Sequence, residues 1–146
     1  IRAGAHTDYG ALTLLFQRQG QQGLQLQLDG KNWTNVEFMP SSHKGSAPPL
    51  IVNFGDLMSY WTEGFLRSTI HRVKFSPGET RSSDRYSIVF FVHPEHSTKL
   101  IPVPSKYVSP KLQQSPQDSH TITALQHLQK RLAETYQRGM AKETIS

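Results

Sequence analysis

The chain has 146 residues, no cysteine, and a formal net charge of +5 from sixteen Lys and Arg against eleven Asp and Glu. That length suffices for one domain with its own core, and the missing cysteines exclude disulfides, thiolate metal sites and a cysteine nucleophile, in keeping with a reducing, cytoplasmic setting. The basic residues form no long run and no stripe interleaved with aromatics, which argues against a nucleic-acid partner, and nothing approaches the ~18 consecutive apolar residues of a membrane span.

The first stretch of interest is Ala5-His6-Thr7-Asp8-Tyr9-Gly10. Residues i and i+2 of an extended segment point to the same side, so an imidazole and a carboxylate project together there. Residues 11–17 are short and apolar and read as a buried strand. Leu24-Gln25-Leu26-Gln27-Leu28 alternates strictly, the pattern of a strand with one wet face. Asp29-Gly30 turns the chain, and Trp33 to Val36 returns as the second arm of a hairpin. Residues 40–49, rich in Ser, Gly, Lys and Pro, read as a loop.

Leu50 to Phe54 reads as another buried strand, stopped by a tight turn at Asn53, Gly55 and Asp56. Leu57 to Trp61 fits either a strand or one helical turn, and Thr62-Glu63-Gly64 is a turn. Ser68 to Phe75 carries His71. Ser76 to Glu79 turns, and a polar run continues to Asp84. Tyr86 to His93 has the strongest strand character in the chain. Prolines 94, 102, 104 and 110 leave room for one edge strand near Leu100. From about residue 121 the period changes. Ile122, Leu125, Leu128, Leu132 and Tyr136 form a helical packing stripe, with Asp118, Ser119 and Thr121 as candidate N-caps and Gly139 as a stop. About seven short strands and one helix argue for a β-sandwich or jelly roll with a helix packed outside.

His71 is the best third partner for His6 and Asp8. Two histidines and one carboxylate on one face of a metal leave open positions, which suits non-haem Fe(II) and oxygen chemistry. Arg85 and Ser87 again place a cation and a hydroxyl on one strand face, and that alternation puts Val89 and Phe91 inward as well. Arg72 points the other way, toward an acid. His43, His93, His96, His120 and His127 have no partner pattern and read as surface or packing residues.

Taken together, His6-Thr7-Asp8-Tyr9-Gly10-Ala11-Leu12-Thr13-Leu14-Leu15, Val52-Asn53-Phe54-Gly55-Asp56, Trp61-Thr62-Glu63-Gly64, His71-Arg72-Val73 and Arg85-Tyr86-Ser87 with Phe90, Phe91 and Pro94 resemble the 2-oxoglutarate/Fe(II)-dependent dioxygenases of the isopenicillin N synthase-like group. Order and spacing carry the resemblance, which runs from about residue 3 to 95. It implies a mainly β fold, a double-stranded β-helix (jelly roll) with a C-terminal α-helix outside. It implies Fe(II) held by His6, Asp8 and His71, with 2-oxoglutarate held by Arg85 and Ser87 and O2 as co-reactant. Phe91 is then the candidate wall of a pocket for a small-molecule substrate, and the reaction is oxidative decarboxylation coupled to substrate oxidation. Residues 1–146 read as a single such domain lacking its N-terminal part. Two other readings stay open: an Fe(II) oxidase of the same fold that does not use 2-oxoglutarate, and a non-catalytic metal-binding or interaction β-sandwich.

Overall fold

A computed structural model describes residues 1–75, 84–103, 105–108 and 121–143, with side chains through residue 137 in the last stretch. The described strands are β1 (Ala3–His6), β2 (Leu12–Phe16), β3 (Leu24–Gln27), β4 (Thr34–Asn35), β5 (Ile51–Phe54), β6 (Ile70–Val73) and β7 (Ile88–Val92). Helix α1 (Asp56–Trp61) follows β5, and α2 (Ala124–Glu143) comes last. The strands form two antiparallel sheets, ordered β1-β6-β3-β4 and β5-β2-β7. This is the jelly roll the sequence predicts, with a helix on its outside.

Each sheet has one face toward the other, and the space between them is a cavity of about 360 Å³. Leu24 and Leu26 line it from one sheet, and Leu15, Ile51 and Val89 from the other. The packed core lies to one side, where Ala11, Leu57, Leu100 and Ala124 are buried and Met58, Trp61 and Ile122 close around them. The opposite face of the three-stranded sheet is apolar and exposed. Leu14 pairs with Phe90 and Phe16 with Ile88, so these side chains share one side,. Phe16, Ile88 and Phe90 are all exposed there.

Five local expectations need correction. Arg85 and Ser87 precede β7, in an extended segment, and are not part of the strand. Near Leu100 there is an isolated Lys99–Thr123 bridge in place of an edge strand, because Leu100 is spent on the core. Helix α2 starts after Thr123, not at the earlier caps: Thr123 Oγ1 accepts the Gln126 N–H at 3.3 Å while Gln126 Oε1 accepts the Thr123 N–H at 2.8 Å. That is a reciprocal capping box. Asp118 and Ser119 lie outside the described residues, as do 76–83. The helix also runs on past Gly139. Its leucine stripe packs only in the first turns: Ile122 lies against the core and Leu125 and Leu128 are half-buried beside the buried Ala124 and His127, whereas farther on Leu132 and Tyr136 are exposed and Arg131 is half-buried.

The turn at Gly55 joins fold to site. Its N–H donates to the Ala11 carbonyl at 2.9 Å, and the Asp56 N–H donates to the Asp8 carbonyl at 2.7 Å. The Leu57 N–H reaches the Gly10 carbonyl at 3.2 Å. The first N–H groups of α1, which no helix can satisfy internally, are thus capped by the backbone of residues 8–11. A Cβ on Gly55 would lie 2.2 Å from Gly10 O and 2.8 Å from Asp8 O. Both obstacles are backbone and cannot rotate away. Gly55→Ala is therefore expected to destabilise the fold by about 3 kcal/mol, measured by the denaturation midpoint. A midpoint within error of the parent would contradict this packing.

Candidate metal centre

His6 ends β1 and His71 sits directly across from it on β6. Antiparallel partners project to the same side, and here the ring centroids are 4.3 Å apart with planes tilted by 55°,. Asp8 follows just beyond β1, buried. Its Oδ1 is 3.8 Å from His6 Nε2 and 3.5 Å from His71 Nε2. One ligand atom from each residue lies within 4.8 Å of the others. The three residues named from sequence therefore meet.

The remaining polar atoms of the triad are already engaged. His6 Nδ1 donates to Gly4 O at 2.8 Å, and His71 Nδ1 donates to Thr69 O at 3.0 Å. A carbonyl can only accept, so the proton stays on Nδ1 and Nε2 is the ligating nitrogen. Asp8 Oδ2 accepts from Thr13 Oγ1 at 2.5 Å and from Asn53 Nδ2 at 2.9 Å, leaving Oδ1 toward the imidazoles. Two neutral nitrogens and one carboxylate oxygen, each oriented by a second partner, fit a divalent first-row metal.

Burial pushes the Asp8 carboxyl up, but hydrogen bonds from His71, Asn53 and Thr13 outweigh it and hold the group well below the usual carboxylate range. The ligand is thus charged at any working pH. The hydrogen bond to Asp8 raises the His71 pKa; burial opposes this and the Thr69 carbonyl adds to it. In the metal-free chain this pair contributes stability that is complete below the unfolded histidine value and lost as pH rises through the raised folded value. A metal must displace the same proton. Its apparent affinity should fall about tenfold per pH unit below the raised His71 pKa, starting above the ordinary histidine value of about 6.5. Metal competition titrations between about pH 6 and about pH 8 check this; a flat profile would contradict it.

Arg85 and Ser87 line the same cavity as the triad. Arg85 Nε donates to the Gln22 carbonyl at 2.8 Å and its Nη1 reaches Ser87 Oγ at 3.4 Å. Val89 and Phe91 also line it, as their alternation predicts. Arg72 does point away, but it finds no acid among the described residues: its Nε donates to Gln25 Oε1 at 2.8 Å and its guanidinium lies 3.9 Å from the Trp33 ring centre. His127 packs in the interior, its ring 5.3 Å from that of Tyr60, where burial pushes its pKa down.

Sequence reasoning missed the residues that hold the ligands. Thr13 and Asn53 are single polar residues in apolar strands, and that anomaly was the available signal. In sequence Asp56 reads as part of a turn. It accepts Thr7 Oγ1 at 2.9 Å, and Arg131 of α2 donates to it through Nε at 2.8 Å and Nη2 at 2.7 Å. Tyr9 Oη meets Thr135 Oγ1 at 2.6 Å. The final helix is thereby tied to the segment carrying His6 and Asp8.

A jelly roll with two histidines and one carboxylate converging on its inner face defines a mononuclear non-haem metal protein. The family model of the 2OG-Fe(II) oxygenase superfamily matches residues 1–94, and the chain belongs to that superfamily. It is 35% identical over 138 residues to a UPF0676 protein of Schizosaccharomyces pombe, covering 92% of this chain and 37% of that one. It is 36% identical over 103 residues to the validamycin A dioxygenase of Streptomyces hygroscopicus subsp. limoneus, covering 70% of this chain and 26% of that one. The full-length Neurospora crassa T7H, crystallised with alpha-KG, superposes with a TM-score of 0.73 at 31% identity, over 93% of this chain and 38% of the other. The chain thus spans well under half the length of these relatives. Among the described residues no helix is long and apolar enough to cross a membrane.

Proposed function

We propose that this chain carries the catalytic centre of an Fe(II)- and 2-oxoglutarate-dependent oxygenase that oxidises a small organic molecule. One observation supports this above all: three donor atoms converge while every other polar atom of their side chains is hydrogen-bonded elsewhere. His6, Asp8 and His71 hold the metal. Bound Fe(II) supplies the oxygen chemistry that couples decarboxylation of 2-oxoglutarate to oxidation of the substrate. Arg85 offers the far carboxylate of 2-oxoglutarate a planar cation that cannot lose its proton, and Ser87 donates beside it. The Gln22 carbonyl, by holding Nε, orients that guanidinium. Leu15, Ile51 and Val89 keep water from the metal-facing space, and Phe91 forms a wall of the substrate pocket,.

Residues 1–146 act in this proposal as one domain, completed by further chain of the same protein. The exposed apolar face of Phe16, Ile88 and Phe90 and the greater length of the relatives support that reading,. A cytoplasmic setting, compatible with the cysteine-free sequence, belongs to the same proposal. Anaerobic titration with Fe(II) and 2-oxoglutarate tests the function. A weak visible charge-transfer band that requires both additions is expected. Metal binding without the band would move the protein to an oxidase that does not use 2-oxoglutarate, and no stoichiometric metal would end the enzymatic reading.

A further inference from the structure

Three formally charged side chains line the cavity: Asp8, Arg85 and Arg67. The first two have roles in the function proposed above. Arg67 has none. It lies in the extended segment just before β6, at alternate positions with Thr69 and His71, and all three line the cavity. It is held at the mouth by the turn that ends α1, where Thr62 Oγ1 accepts the Leu66 N–H at 3.1 Å and Thr62 O accepts the Phe65 N–H at 3.0 Å.

The Arg67 guanidinium is exposed and has no hydrogen-bond or ion-pair partner among the described residues. Arg18 is likewise exposed and unpaired among the described residues, but it does not line the cavity; the remaining described arginines differ. Arg2 lies over Phe75, Arg72 holds Gln25 and stacks on Trp33, Arg85 holds Gln22, and Arg131 holds Asp56. An unpaired guanidinium that lines the same cavity as Leu15, Ile51, Val89 and Phe91 is placed to meet an anion that enters it,.

Charge balance says what kind of anion. This step rests on the proposed function. With neutral imidazoles, a divalent metal and the carboxylate of Asp8 leave one positive charge. Arg85 and Arg67 add two more. The dianion 2-oxoglutarate cancels two of these three, and one remains. We infer that Arg67 binds a carboxylate of the organic substrate, and that the substrate is a small monocarboxylic acid with an otherwise apolar body. The apolar lining receives that body and the guanidinium at the mouth receives the acid, which orients the molecule with its far end toward the metal.

The test uses the full chain, loaded anaerobically with Fe(II) and saturating 2-oxoglutarate. Hexanoate and benzoate are titrated against their uncharged counterparts hexanamide and benzamide. Binding is read both by calorimetry and by perturbation of the charge-transfer band. The acids are expected to bind at least about tenfold more tightly than the amides. Arg67→Gln should abolish that preference and Arg67→Lys should restore part of it, while the band itself persists in both variants. Acids that bind no better than amides, or that do not bind, overturn the assignment. So does Arg67→Gln weakening 2-oxoglutarate as much as loss of Arg85 does, since Arg67 would then belong to the cosubstrate. A wild-type chain that shows no band overturns the 2-oxoglutarate reading, and the charge balance with it, and one that takes up no iron overturns the metal reading as well; a band without acid preference overturns only the role of Arg67.

Discussion

Asp8→Ala should leave the chain unable to hold stoichiometric iron. The carboxylate is the only anionic donor among the three, and both imidazoles converge on its Oδ1. Losing an orienting partner of a metal ligand typically costs 10- to 100-fold in affinity, at the level of about 1–3 kcal/mol; losing the charged ligand itself costs more. The substitution also strands the Thr13 hydroxyl and the Asn53 amide, each at a cost of about 1–3 kcal/mol if left unpaired,. Metal loss through unfolding must therefore be told apart from metal loss through a missing ligand. Asp8→Asn does this. Its amide oxygen still accepts from Thr13 and Asn53, while an uncharged NH2 replaces the ligating oxygen. It should melt close to the parent yet bind no iron in an anaerobic equilibrium titration. Retained stoichiometric iron in a folded Asp8→Asn chain would contradict the assignment.

Arg85→Leu should separate cosubstrate from metal. The guanidinium is the cation we assign to the far carboxylate of 2-oxoglutarate, and a charge-assisted pair removed from one side costs about 3 kcal/mol, on the order of a hundredfold in affinity. Iron affinity should change little, because none of the triad's hydrogen bonds runs through Arg85. The charge-transfer titration reads both quantities on one sample. Equal loss of iron and 2-oxoglutarate would remove Arg85 from its assigned place.

The parts legible in the sequence share a property: their signal is local. Leu24 to Leu28 alternates, and it is a strand between two neighbours. His6 and Asp8 carry metal-binding groups two residues apart, so their pairing is visible locally, although Thr13 and Asn53 orient the carboxylate. His71 was reachable because few other histidines sit in a strand-like setting. What stayed hidden depends on what the chain packs against. Residues 88–92 have the residue types of a buried strand, yet one face of β7 fronts a cavity and the other is exposed. In α2 the leucine period holds for Ile122, Leu125 and Leu128 but fails at Leu132 and Tyr136, because the surface that part of the helix covers includes the Asp56 carboxylate, which selects Arg131 over Leu132. Periodicity locates a helix but assumes an apolar partner. Asn53 likewise reads as an interruption in Ile-Val-Asn-Phe until the Asp8 carboxylate opposite it is known.

The most direct measurement of the central claim is iron X-ray absorption on the chain loaded with one equivalent of Fe(II) under anaerobic conditions, in wild type and in Asp8→Asn. The account predicts a single iron with scattering from two imidazoles in the wild type, and no bound iron in the variant. Substoichiometric iron in the wild type, or a bound iron whose spectrum lacks imidazole scattering, would contradict it.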